Sequence, residues 1–288
     1  VIMISSFTAA GSEVTLRALE LGAVDYLAKP QAGNLAMLQA YADEIRDKIR
    51  AAAGAKLKAP PARAVAAPPP ATIQRQSGLS ARLLGEHVVA IGASTGGTEA
   101  IKDVLAALPP DMPPIVMVQH MPETFTPSFA KRLDSLSQLT VIEAQGGERL
   151  KPGMAYLAPG HSHMRVRRVA GGYQLDLSQD EPVNRHRPAA DVLFHSVAEQ
   201  VKQRATGIIL TGMGKDGAQG MLTMRQKGAF TIAQDEATSI VFGMPKEAID
   251  IGAAQAVVPL PQIARRIVSF LAGTDGAAGS AVGGKISA

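Results

Sequence analysis

The chain has 288 residues, enough for one full-sized domain and a smaller piece at roughly 100–200 residues per domain, and its 46% hydrophobic content is that of an ordinary globular protein. A formal net charge of +4 with only 4% aromatic residues argues against a nucleic-acid surface, which needs a dense basic stripe interleaved with rings. There is no cysteine, which excludes disulfides, thiolate-bound zinc and a cysteine nucleophile and suits a cytoplasmic protein. No apolar run approaches the ~18–20 residues that cross a bilayer, so membrane insertion is not expected.

The chain opens on Val1 without the basic segment of a signal peptide, in a strand-like run that reads as the middle of a domain. Residues 1–5 (VIMIS) form a strand, 12–21 (SEVTLRALEL) a helix stopped by Gly22, 23–28 (AVDYLA) a second strand ending at Lys29-Pro30, and 35–49 a second helix. Two strands and two helices are too little for an independent α/β domain. Residues 1–50 are therefore expected to be a piece of something larger, loosely docked. From 51 to 85 the composition collapses to Ala, Pro, Lys, Arg and Ser, with Pro60, Pro61, Pro68, Pro69 and Pro70 favouring an extended linker.

From Glu86 strands and helices alternate. Strands are expected at 87–91, 115–119, 154–158, 207–211, 230–233 and 256–258, with a hairpin over 164–177 turning at Gly171-Gly172. Helices follow after the GASTGG run and at 128–136, 191–203, 219–227 and 262–272. Apolar strands between amphipathic helices imply a doubly wound α/β fold with a mostly parallel sheet. The Gly/Ala/Ser-rich residues 273–288 read as a disordered tail.

In such sheets ligands bind outside the carboxyl ends of the strands. After HVVAI comes Gly92-Ala93-Ser94-Thr95-Gly96, after IVMVQ comes His120, and after GIILT comes a glycine-rich loop holding Asp216. Glycines flanking a serine at a strand–turn–helix junction expose its hydroxyl at a helix start, where free N–H groups stabilise an anion. His120 would be the base that takes the Ser94 proton, and Asp216 would hold the imidazole tautomer. Each residue also has a plain structural reading, Ser94 as a helix cap, His120 as a strand-end residue and Asp216 as a turn former. A dinucleotide-binding reading fails because Ser94 stands where the second glycine of that fingerprint must be. His161 and His163 are spaced for a metal but lack a third ligand nearby, so no metal is expected. Arg185-His186-Arg187-Pro188 could grip an acidic group.

The segments GASTGG, VQHMP, PVNRHRPAADVLF, LTGMGKDG and QDEATSIVFGMPKEA, in this order, resemble those of the bacterial chemotaxis response-regulator protein-glutamate methylesterases. The likeness covers residues 86–272 as a methylesterase catalytic domain, and residues 1–50 resemble the C-terminal part of the flavodoxin-like receiver domain that precedes it. The resemblance implies a Ser94, His120 and Asp216 triad, an oxyanion donor at the Met213 N–H, and Thr95 beside the site; Arg185, His186 and Arg187 are expected to bind substrate on their own chemistry, as a run that could grip an acidic group. It implies Ser5 and Lys29 as receiver switch residues. The phosphoacceptor aspartate belongs to strands that would precede Val1, so phosphoryl control is not expected of this chain. The implied reaction is hydrolysis of glutamate methyl esters on chemoreceptors, and in many members deamidation of glutamines, with no cofactor. The implied partners are methyl-accepting chemoreceptors and, for an intact receiver, a histidine kinase. Alternatives are a serine hydrolase of the same fold acting on another ester or amide, and a non-catalytic receiver-linked binding module.

Overall fold

The computed structural model describes residues 1–5, 9–29, 35–55 and 78–273. The linker residues 56–77 and the tail 274–288 lie outside the described residues.

Three strands whose residues are all buried form the centre of a seven-stranded parallel sheet. They are β3 (Val88–Ala93), β4 (Ile115–Gln119) and β9 (Ala205–Ile209), in the order β9-β3-β4. Continuous burial rather than alternation is what a strand covered on both faces requires. Val89 and Ile91 enter one apolar cluster and Val88 and Ala90 the other, because successive side chains of a strand point to opposite faces. The first cluster lies under α4 (Gly97–Ala107), α5 (Thr126–Leu136) and α9 (Leu260–Leu271). The second lies under α6 (Ala190–Gln200), α7 (Ala218–Gln226) and α8 (Met244–Asp250), and under the hairpin of β7 (His163–Val169) and β8 (Gly172–Ser178). The sheet continues through β10 (Phe230–Gln234) to β11 (Ala256–Val258) on one side. On the other it continues through β6 (Met154–Leu157) to β5 (Thr140–Glu143). The chain therefore winds outward from β3 in both directions, as expected of a doubly wound fold.

Some boundaries differ from the sequence reading. Helix α3 (Ala81–Glu86) lies inside the stretch read as linker, started by the Ser80 hydroxyl, which accepts the Leu83 N–H at 3.3 Å. Strand β5 was not anticipated, being four residues long at a sheet edge, and neither was the seven-residue α8, although its Pro245 in the first turn is a start signal. Helix α6 ends at Gln200, where Lys202–Arg204 tighten into a 3₁₀ turn. The β7–β8 register pairs Val169 with Gly172 and puts the turn at Ala170-Gly171.

The expectation that residues 1–50 dock loosely is not met. Strand β1 (Ile2–Ser5) pairs in parallel with β2 (Asp25–Ala28), with α1 (Ala9–Glu20) and α2 (Leu35–Ala53) completing the segment. Leu16, Leu19 and Tyr26 are buried in the same cluster as α4 and α5, and the Tyr26 ring lies 4.8 Å from that of Phe125. Arg132 of α5 pairs with Glu20 and, at 3.5 Å, with Glu99. A two-stranded sheet cannot bury both faces of α1 itself. Each Leu fully buried against the neighbouring unit is worth roughly 1.5–3 kcal/mol, which is enough to hold the segment in place.

Candidate active site

Because β9, β3 and β4 run parallel, their carboxyl ends open on one edge of the sheet, at the point where the chain reverses its winding direction. Ser94 follows β3 directly and His120 follows β4 directly. The β3–β4 register places the two side by side, and the His120 N–H donates to the Ala93 carbonyl at 3.1 Å. The buried Gln119 side chain ties the two strand ends together: its Nε2 donates to the Ser94 carbonyl at 2.9 Å and to the His120 carbonyl at 3.2 Å. The Ser94 N–H is anchored to the Thr211 carbonyl at 3.1 Å. Two glycines make the sharp exit from β3 possible. Gly96 sits at φ +79°, and a Cβ on Gly212 would come within 2.8 Å of the Ser94 Cβ. The backbone of Ser94 is thus fully held. Among the described residues its hydroxyl has no hydrogen-bond partner and is half-buried at the rim.

His120 and Asp216 meet although 96 residues separate them. His120 Nε2 lies 2.8 Å from Asp216 Oδ2, with the side chains only 7% and 1% exposed. Asp216 precedes α7 yet caps a different helix. Its oxygens accept the N–H groups of Ala190 (2.6 Å) and Asp191 (3.2 Å) at the start of α6. Asn184 Nδ2 donates to Asp216 Oδ1 at 2.8 Å and to Asp191 Oδ2 at 2.7 Å, bridging two buried carboxylates with one amide. Burial alone would raise the Asp216 pKa. The His120 contact, the Asn184 amide and the helix N–H groups outweigh it and hold the carboxyl below its ordinary range. Asp191 moves the other way: burial, and the nearby Asp216 charge, raise it despite the Gly220 N–H it accepts. An ionised carboxylate only accepts, so the His120 Nε2 carries the proton of the shared bond. His120 Nδ1 is left buried with its lone pair unpartnered among the described residues.

Residues 183–186 supply a second structure above the imidazole. Val183 and His186 exchange N–H···O bonds of 3.0 and 2.9 Å around Asn184 (φ 53°) and Arg185 (φ 68°), a two-residue turn of the I′ kind. Asparagine tolerates the left-handed region. Arginine does not, and such a residue costs roughly 1–2 kcal/mol that the surroundings must offset. The loop is clamped at its ends. His163, fully buried, uses Nε2 on the Glu181 carbonyl (3.1 Å) and accepts the Ala189 N–H at Nδ1 (3.2 Å). Arg187 Nη1 donates to the carbonyls of Gln179 (3.0 Å) and Asp180 (3.1 Å). The His186 ring stacks on His120 with centroids 3.7 Å apart and planes 14° apart.

The residues singled out from sequence thus fall into separate groups. The structure brings Ser94, His120 and Asp216 to one edge, with Met213 on the loop between β9 and Asp216. The Met213 N–H donates to no group among the described residues. Arg187 is occupied in bracing the loop, Arg185 is exposed at the turn, and His186 faces the catalytic-edge histidine rather than solvent. Thr95 is buried, and its hydroxyl donates to Asp25 Oδ2 of β2. Asp25 Oδ1 also accepts from Lys48 at 3.0 Å. Ser5 ends β1 opposite Ala28, and Lys29 is exposed just beyond β2. Sequence reading missed Asn184, Asp191, Gln119 and Asp25. Only Asn184 carried a local signal, as the first turn residue of VNRH.

The chain has clear relatives. The profile of the CheB methylesterase family matches residues 89–267. A protein-glutamate methylesterase/protein-glutamine glutaminase of Nitrosomonas europaea is 55% identical over 276 residues, covering 95% of this chain and 76% of its own length. A relative of the same description from Dechloromonas aromatica is 54% identical over 269 residues, covering 93% of this chain and 76% of its own length. The crystal structure of the Thermotoga maritima CheB methylesterase catalytic domain superposes with a TM-score of 0.63 at 43% identity, covering 64% of this chain and 98% of that one. The chain is a hydrolase of the CheB methylesterase family.

Proposed function

We propose that this chain hydrolyses γ-methyl esters of glutamate on chemoreceptor helices through an acyl-enzyme on Ser94. The observation that carries the mechanism is the state of His120. Its Nε2 is committed to Asp216, and its Nδ1 is buried and unpartnered among the described residues, on a residue that the β3–β4 register sets next to Ser94 in the backbone. Ser94 Oγ attacks the ester carbonyl carbon while its proton passes to His120 Nδ1. The negative charge on the carbonyl oxygen is met by the Met213 N–H, which donates to no group among the described residues. Collapse of the tetrahedral intermediate breaks the bond to the methoxy oxygen, which leaves as methanol with the proton from Nδ1. Water then attacks the glutamyl–Ser94 ester with His120 again taking a proton, and collapse restores the serine and frees the glutamate carboxylate. With a glutamine substrate the same steps release ammonia, in keeping with the double description of the relatives. Residues 1–50 take the part of the end of a receiver domain, with Ser5 and Lys29 as its switch groups and a histidine kinase as phosphodonor when the acceptor aspartate is present. The test is methanol release from methylated receptor helices. Ser94→Ala is expected to lower kcat by about 10³-fold or more, leaving the residual rate that oxyanion stabilisation provides. Near-normal release by the folded variant would remove Ser94 from the mechanism.

A further inference from the structure

We propose that His186 is a positioning residue for the reaction: its ring, stacked on His120, fixes the plane of the catalytic imidazole so that Nδ1 stays directed at Ser94. This rests on the Ser94–His120 reading above.

A histidine held by one hydrogen bond is still free to rock about it. His120 makes a single side-chain bond, from Nε2 to Asp216, and its Nδ1 has nothing to hold it until the serine hydroxyl or the leaving group arrives. A parallel ring at 3.7 Å removes that freedom, because rotation of His120 out of its plane would drive it into His186. The loop that carries His186 is itself held in three ways. The tight turn fixes its backbone, Asn184 at the first central position of the turn is bonded to Asp216 and Asp191, and His163 with Arg187 braces the loop on either side. The same turn therefore delivers an amide to the carboxylate and a ring to the imidazole, so that Asp216 and His120 are set by one piece of backbone. The left-handed Arg185 is the strained element that such a delivery requires.

The ring must also be uncharged to serve. When His120 accepts the serine proton it becomes a cation, and a second cation at stacking distance would oppose that step, whereas a neutral ring presents a π face to it. The groups facing His186 are His120, Asp216, Lys48 of α2 and Arg185. Burial, then the proximity of His120, holds its imidazole well below its ordinary pKa, with Lys48 and Arg185 acting in the same direction and Asp216 against them. His186 is thus neutral throughout the range in which a serine hydrolase works.

The experiment compares His186→Ala and His186→Phe, with Ser94→Ala alongside, for methanol release and for the rate at which a fluorophosphonate probe labels Ser94. His186→Ala is expected to lower kcat about 10- to 100-fold, as a misplaced reacting group does, with KM within about twofold and probe labelling slowed in parallel. His186→Phe restores the stack without a titratable nitrogen and is expected to recover most of that loss. Thermal melting and near-ultraviolet circular dichroism confirm that both variants are folded. A loss confined to KM would make His186 a substrate-gripping group and overturn the inference, as would wild-type kcat in the alanine variant or no recovery in the phenylalanine variant. Methanol release by Ser94→Ala at the normal rate would instead overturn the nucleophile assignment, which is a distinguishable failure.

Discussion

The catalytic unit and the N-terminal segment are both built from parallel strands and amphipathic helices, but they are stabilised in opposite ways. In the catalytic unit each central strand is covered on both faces, and the carboxylate of Asp216 has a hydrogen-bond donor for each oxygen. In the segment β1 and β2 pair only with each other, and Val1, Ile4, Val14, Leu21 and Ile49 stand exposed. Its attachment comes from Leu16, Leu19 and Tyr26 in the shared apolar cluster, from the hydrogen bond of Thr95 to Asp25 and from the pairing of Arg132 with Glu20. One unit carries its own core. The other borrows its neighbour's. A segment with no core of its own depends on its neighbour, and here part of the attachment is made beside Ser94, through the adjoining Thr95.

The largest expected effect separates the chemistry from the packing. Asp216→Asn should lower kcat by about 10⁴-fold by allowing the wrong His120 tautomer, while leaving the N-terminal segment docked. Single-turnover rates and limited proteolysis of the segment would measure the two independently. A variant losing less than tenfold would mean that the carboxylate only caps α6.

Next in size is a test of the borrowed core. Tyr26→Ala removes the ring that meets Phe125 and should cost about 3–5 kcal/mol of docking, by the measure of large aromatic truncations. Protease cleavage within the first 55 residues should accelerate while the melting of the catalytic unit changes little. The esterase rate should also change, because the segment that occupies the Thr95 hydroxyl is then free to leave. Equal proteolysis rates in variant and wild type would show that the segment is held without Tyr26, by Leu16, Leu19 and the Glu20 and Asp25 contacts.

The smallest effect probes the catalytic unit at the opposite edge of the sheet. His87 is buried before β3 against the Thr206 hydroxyl (3.0 Å), and burial pushes its imidazole down to about 4 from 6.5. Below 6.5 the unfolded chain takes up a proton that the folded chain refuses until about 4. The unfolded state thus binds more protons in that window, and stability falls as the pH drops through it. The shift corresponds to about 3 kcal/mol across the window. His87→Leu should flatten that part of the unfolding free energy against pH, at some cost near neutrality from the orphaned Thr206 hydroxyl. An unchanged slope in the leucine variant would place the acid sensitivity elsewhere.

The sequence by itself determined the central strands of the sheet and the place of Ser94 at the end of one of them. Both are local matters: a short apolar run of β-branched residues is a buried strand, and a serine among glycines at its end is an exposed turn, whatever lies beyond. Spacing also brought His120 and Asp216 to the right edge, because parallel strands all end on the same side. The tertiary structure alone decided what those residues touch. Asn184 and His186 could be marked as turn residues, but that Asn184 reaches Asp216 across 32 residues and that His186 stacks on His120, across a turn whose left-handed arginine no propensity favours, had no local signature. The docking of residues 1–50 was misread for a related reason. Exposed apolar positions on a short helix can be counted from sequence, but which of them meet a partner depends on a surface formed by α4 and α5, about 80 residues and more further along the chain.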